Sequence, residues 1–213
     1  ARLAMLSQEN EGALLLLQAA TKLHPQFIAG QAKLAEQLGA INKVRRASRI
    51  IEKCWTATPH PSLAAIYRAL EPELDAVAQV KRFETLFKCN IDHVESHLAV
   101  AEAALAAKLW GQARFHLEKV SESGITPRLC RLMATLEEAQ FQDRDKAQNW
   151  LAQTAMAEPD MAWLCGSCGV ESAFWGVRCS KCGVFNEIAW EKPLKVARIS
   201  RDKNDDFFED MRD

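Results

Sequence analysis

Ala13-Leu-Leu-Leu-Leu17-Gln-Ala-Ala20 and Ala47-Ser-Arg-Ile-Ile51-Glu-Lys-Cys54 share one pattern, an alanine that precedes a large apolar residue by four positions, and the two alanines are 34 apart. The pattern returns at Ala113-Arg-Phe-His-Leu117 and at Ala147-Gln-Asn-Trp-Leu151, whose alanines are again 34 apart. Prolines keep the same step: Pro25 and Pro59 are 34 apart, and Pro25, Pro59 and Pro159 each follow the alanine of their stretch by twelve positions. The interval from Ala47 to Ala113 is 66, which fits two units if one has lost two residues. A fixed period of this length marks stacked supersecondary units. Spacing of four places the alanine and the large side chain on one helix face. The small residue lets two helices cross closely, the large one fills the gap between neighbours, and the proline stops the helix.

This pattern resembles the tetratricopeptide repeat, two antiparallel helices in about 34 residues. In the unit from Ile28 to Pro61, Leu34, Ala35 and Leu38 fall at the family's first-helix packing positions, with Gly39 beside the turn. The segment from Ser62 to Asn90 fits less well, because Pro72 interrupts the expected first helix. Roughly four and a half units are counted, the first lacking its opening helix. The expected fold class is therefore all-α, a tetratricopeptide-like helical solenoid over residues 1–159.

Composition agrees with a helical fold: alanine and leucine are abundant, only one tyrosine is present, and hydrophobic residues make up 48%. Lys+Arg 27 against Asp+Glu 28 leaves a net charge of -1, which speaks against a dedicated nucleic-acid surface. Apolar runs such as Ala13 to Leu17 fall far short of the ~20 residues that span a bilayer, so no direct membrane insertion by this segment is expected. No signal-peptide pattern occurs, and the chain opens at Ala1 without an initiating methionine, as a piece of a longer protein would. Residues 193–213 form a charged tail, with ten charged residues from Arg198 to Asp213, and are expected to be disordered. Phe207 and Phe208 within Asp205-Asp-Phe-Phe-Glu-Asp are the candidate docking motif of that tail.

Between repeats and tail, residues 160–192 carry Cys165-Gly-Ser-Cys168-Gly169 and Cys179-Ser-Lys-Cys182-Gly183, with ten residues between Cys168 and Cys179. Each half is a metal-binding knuckle, a tight turn that offers two sulfurs, and the glycine after the second cysteine allows a left-handed backbone. Two knuckles supply four thiolates in a tetrahedron, the arrangement of a structural zinc site, with no position left for a catalytic water. The expected module is a four-cysteine zinc-ribbon or rubredoxin-like β module with one short hairpin, against which Phe174 and Trp175 pack. Iron takes the same ligand set, so a rubredoxin-like iron site stays open; a redox dithiol is the other alternative. Trp163, Trp175 and Trp190 lie in or beside the module and are read as packing residues. Cys54, Cys89 and Cys130 lie in helical stretches without a nearby partner and are read as small buried apolar residues. His93 and His97 are four apart, but Val94 stands where a His-Glu-x-x-His motif needs glutamate, so the first is read as a surface residue and the second as a packing one.

Ala162-Trp163-Leu-Cys165-x-x-Cys168-Gly, then Trp175, Cys179-x-x-Cys182-Gly and Phe185-x-x-Ile-x-Trp190, resemble the C-terminal part of alphaproteobacterial HemY proteins. The resemblance implies a possible membrane anchor upstream of the repeats, a place on the cytoplasmic side of the bacterial inner membrane with this segment itself soluble, and a link to haem biosynthesis without a catalytic role. A second resemblance is to LapB, an adaptor in lipopolysaccharide regulation, which also joins repeats to a rubredoxin-like module. No nucleophile–base pair, phosphate loop, flavin-binding glycine motif or Cys-Pro haem-regulatory dipeptide occurs, so no enzyme activity is expected and haem or precursor binding is not supported. The expected function is a protein-interaction scaffold that holds a protein partner on the concave face of the first helices, with the ribbon as a cap or second contact. At the positions where carboxylate-clamp members carry lysine and asparagine, this chain has Ala32, Glu36, Leu98, Glu102, Leu132 and Leu136, which suits an apolar or basic segment better than a free C-terminus.

Overall fold

The computed structural model describes residues 2–194, with side chains from position 12 onward. Phe207, Phe208 and all of the tail beyond Leu194 lie outside the described residues. The chain divides at the Glu158–Pro159 junction into two compact units.

The first unit is entirely helical among its described residues: α1 (Arg2–Leu23), α2 (Ile28–Ala40), α3 (Val44–Ala57), α4 (Pro61–Ala69), α5 (Ala76–Phe87), α6 (Val94–Ala106), α7 (Trp110–Ser121), α8 (Pro127–Phe141) and α9 (Arg144–Gln153). Four tetratricopeptide-like helix pairs follow α1, and their first helices begin at Ile28, Pro61, Val94 and Pro127, on a constant step of 33. The pair that the sequence marked least, α4 and α5, is complete. Pro72 lies in its loop, and α4 is cut to nine residues to make room. The buried Val80 stands 33 from both Ala47 and Ala113, so the missing residues are spread over two steps and not taken from one unit.

Local chemistry sets the helix boundaries. Asp75, Thr126 and Asp143 accept hydrogen bonds from the first-turn amides of α5, α8 and α9. Pro61 and Pro127 open α4 and α8, where a missing N–H costs nothing. In three of the four pairs the turn between the helices passes through a left-handed residue that is not glycine: Asn42, Lys108 and Gln142, with φ of 60°, 58° and 53°. After Asn42 and Lys108 the next amide reaches back five positions, Lys43 to the Leu38 carbonyl at 2.8 Å and Leu109 to the Ala104 carbonyl at 2.9 Å. The remaining pair, α4 and α5, is joined by a longer loop that opens at Leu70 in right-handed backbone. A Cβ on Gly39 would lie 2.5 Å from the Leu70 side chain, so the glycine admits that contact.

The repeat positions account for the core, with exceptions at both ends. Leu34, Ala35, Leu38, Ala47, Ile51, Ala113 and Leu117 are buried. Ala13 and Leu151 are exposed, although the repeat pattern assigned both to packing. No helix precedes α1 among the described residues, so the face carrying Ala13 has nothing to cross against. At α9 Ala147 is buried, and it is half-buried Trp150 that packs against the core cluster. Equivalent substitutions should therefore differ. Ala113→Leu should lower unfolding free energy by about 1–3 kcal/mol through overpacking, whereas Ala13→Leu should be close to neutral in urea unfolding.

The second unit is a three-stranded antiparallel sheet in the order β2-β1-β3, from β1 (Ala162–Cys165), β2 (Glu171–Ser172) and β3 (Ile188–Glu191). Trp163 pairs with Ser172 on one side and with Trp190 on the other. It has the small strand content and cysteine turns of a zinc-ribbon module.

Candidate metal centre

The four knuckle cysteines come together at one end of this sheet. Their Sγ atoms all lie within 4.8 Å of one another, close enough to hold a metal ion. The two halves are built alike. Cys165 donates its N–H to the Val170 carbonyl at 3.0 Å, and Gly169 returns an N–H to the Cys165 carbonyl at 2.8 Å. In the other half Cys179 donates to Val184 at 2.9 Å and Gly183 to Cys179 at 3.0 Å. Gly169 and Gly183 have φ of 68° and 73°, the left-handed backbone that favours glycine. The turns are further tied down by Gly166 N–H to the Glu187 carbonyl and Asn186 N–H to the Val177 carbonyl, at 2.7 and 2.8 Å.

Sulfur geometry fits a tetrahedral ion. Cys165 and Cys182 sulfurs are 3.8 Å apart, and those of Cys168 and Cys179 are 3.7 Å apart. A metal–sulfur bond of about 2.3 Å in a regular tetrahedron gives an edge of about 3.8 Å, and a disulfide would bring two sulfurs to about 2.05 Å. Thiol protons are shared unevenly. Amide donors from Cys182 and Lys181, with neighbouring thiols, hold Cys179 down to about 6. The Val170 amide pulls Cys168 down, but desolvation and its thiol neighbours together outweigh it and leave Cys168 at about 11. A Cys179 thiolate at neutral pH beside three further cysteine sulfurs is a ready acceptor for a thiophilic cation.

Behind the sulfurs lies a very small core. Trp163, Cys165, Cys179 and Ile188 are buried, with Trp175, Trp190, Val170 and Val184 half-buried against them. Trp163 and Trp190 meet edge to face, with centroids 5.1 Å apart. Trp175 packs as expected, whereas Phe174 is 76% exposed. The residues that follow β2 leave Phe174 on the outside of the module and Trp175 on the inside.

The other candidates lie elsewhere. Cys54 and Cys130 are buried in helices, and Cys89 sits half-buried in the turn after α5 and not in a helix. Burial raises the thiols of Cys54 and Cys89. His93 caps α6 through Nδ1, which accepts the Glu95 N–H at 3.1 Å, while His97 turns to His116, with Nδ1 atoms 2.9 Å apart. This second pair joins residues 19 apart on two helices, and Phe87 stands edge-on to both rings. Of the first-helix positions read as groove-lining, Ala32, Leu98 and Leu136 are buried in the core instead. Glu36 pairs with Lys33, and Glu102 pairs with Arg128 at 2.7 Å. Arg128 also grips Glu95 through both terminal nitrogens, and the two carboxylates raise its pKa against the opposing effect of burial.

Burial lowers the pKa of His97, and it lowers that of His116 to about 4, with the neighbouring His97 charge as the second cause. Glu84 opposes the shift at His116; at His97 the Ile91 carbonyl, Asp92 and Glu122 oppose it and Lys119 reinforces it. Below the ordinary value of 6.5 each imidazole binds fewer protons folded than unfolded. Stability is therefore fully present near neutrality and is lost as the pH falls through 6.5 toward 4. Melting curves between about pH 7.5 and pH 4.5 should show a smaller drop for His116→Phe than for the unaltered chain.

Fold and site together define the class: tetratricopeptide-like helix pairs followed by a four-thiol ribbon. No protein-family model matches the chain. A probable magnetosome protein, Mms48, of Magnetospirillum gryphiswaldense is 30% identical over 151 residues, which cover 70% of this chain and 34% of that protein. The chain thus spans about a third of the length of the curated relative it matches. Among solved structures, MamA is similar at 13% identity and a TM-score of 0.44, over 71% of this chain and 90% of that one. A thermophilic tetratricopeptide-repeat protein of Thermus thermophilus is similar at 18% identity and a TM-score of 0.46, over 73% and 86%.

Proposed function

We propose that the chain is the protein-interaction part of a HemY-like bacterial protein, a non-enzymatic scaffold whose helix pairs hold a protein partner and whose ribbon holds a structural zinc ion. The observation that carries the reading is the stack of four helix pairs on one constant step, an architecture whose repeated faces serve binding. Cys165, Cys168, Cys179 and Cys182 are the proposed ligands, and their sulfur spacing supports a closed tetrahedron. Such a shell would lend folding energy and leave no position for substrate. No helix among the described residues is long and apolar enough to cross a membrane, so association with the inner membrane would rest on an anchor outside this segment. The link to haem biosynthesis rests on the tryptophan-flanked ribbon sequence.

Two measurements test this. Metal analysis of the chain purified without added metal should give one zinc per chain and a colourless protein. A red, reducible protein would replace the reading with an iron-handling, rubredoxin-like one. Crosslinking the full-length protein in its native membranes, followed by mass spectrometry, should yield enzymes of tetrapyrrole synthesis. Enzymes of lipopolysaccharide synthesis in their place would favour the LapB-like reading.

A further inference from the structure

Side chains of α1, α2 and α3 enclose a groove of about 570 Å³, within the range of sites that take a ligand of a few residues. Three cations line it, Lys22 near the end of α1 and Arg46 and Lys53 on α3, and no carboxylate does. Arg46, Ile50 and Lys53 follow one another at helical spacing, which puts them on one face of α3. Half-buried Ile50 and the almost fully covered Leu34 are the large apolar residues of the lining. All three cations are exposed, and none pairs with a carboxylate among the described residues. Elsewhere in this unit the part-buried cations are paired: Arg128 with Glu95 and Glu102, Arg114 with Glu137, Arg82 with Glu71. Unpaired like charges around one hollow raise the local positive potential, which an anionic ligand would neutralise.

We infer that this groove docks an acidic peptide segment of a protein partner, with its carboxylates on Lys22, Arg46 and Lys53 and one apolar side chain over Ile50. The inference rests on the scaffold reading and gives one partner surface its chemistry. It also moves that surface. The groove runs between α1 and α3 and not along the row of first helices, where the sequence had placed the partner.

A fluorescein-labelled decapeptide of aspartate and glutamate with a central leucine, titrated against the full chain by fluorescence anisotropy, tests it. Binding should be saturable and weaken as salt is raised. Lys22→Glu, Arg46→Glu and Lys53→Glu should each weaken it about tenfold, and the triple variant should abolish it. These side chains are exposed, so circular dichroism melts should match those of the parent. Arg49→Glu, a charge reversal on α3 outside the groove, should have little effect, and replacing the central leucine by serine should weaken binding. An equal loss with Arg49→Glu would overturn the inference in favour of unspecific attraction. A change in oligomeric state in the triple variant, seen by sedimentation, would assign the groove to a second copy of the chain. If the peptide does not bind while crosslinked partners of the full-length protein persist, the inference fails and the scaffold reading stands.

Discussion

On the structural-zinc proposal, a chelator under reducing conditions, or replacing Cys179 by serine, should unfold residues 162–191 and leave the described helices intact. Among its described residues the module has five buried hydrophobic residues, Ala162, Trp163, Cys165, Cys179 and Ile188, and three strands of two to four residues. Three such strands bury too little to offset the entropy of ordering the chain. A bound structural zinc contributes about 10–16 kcal/mol in apparent terms to small domains of this kind, more than a cluster this size can offer. The expected signature is a red shift in emission from Trp163, Trp175 and Trp190 with helical ellipticity almost unchanged. Amide resonances of the ribbon should collapse to unfolded positions in the same sample. Persistent dispersion of those resonances after complete metal removal would show that the tryptophan cluster suffices, and the structural-metal reading would be lost.

Within the helical unit the largest single effect is expected at Trp55. Its side chain is fully buried on α3, and its indole N–H donates to the Ser96 hydroxyl of α6 at 2.8 Å. The residue therefore fills the core and ties one helix pair to another two steps on. Trp55→Ala should cost about 3–5 kcal/mol from the cavity, with about 1–3 kcal/mol more if Ser96 is left unsatisfied. Trp55→Phe keeps most of the volume and loses the bond, so about 1–2 kcal/mol is expected. Urea unfolding followed by helical ellipticity measures both. Repeat arrays couple mainly through neighbours, so the alanine variant should also broaden the transition. A loss below about 1 kcal/mol would mean that the site collapses around the missing ring.

How much of this was legible in the sequence depends on whether a residue's role is local. The knuckles were, because Cys-x-x-Cys-Gly encodes its own turn and the glycine marks the positive φ. Ala47, Ala113 and Ala147 were, because an alanine followed four places on by a large side chain records a helix crossing within each pair. The turns at Asn42, Lys108 and Gln142 were not, because no glycine announces their left-handed residues. The α4–α5 pair was hidden by Pro72, which looks like a broken helix and is a lengthened loop. His97 and His116 meet across two helices, and the cationic groove needs three, so no spacing rule along the chain finds either. Phe174 and Leu151 were misjudged for a simpler reason: an apolar residue at a packing position was assumed to have something to pack against.

The unchanging interval between successive first helices, kept even where α4 shrinks and its loop grows, has a use in protein engineering. What the chain holds constant is the pitch of the stack, with helical residues and loop residues interchangeable as long as their sum is kept. A graft placed in the loop around Pro72, for example a peptide tag or a small sensor domain, should be tolerated if its ends lie close together and the flanking helices keep their phase. The same graft in the tight turns after α2 or α6 would have to break a left-handed cap first, so the longest loop between paired helices is the natural port of entry.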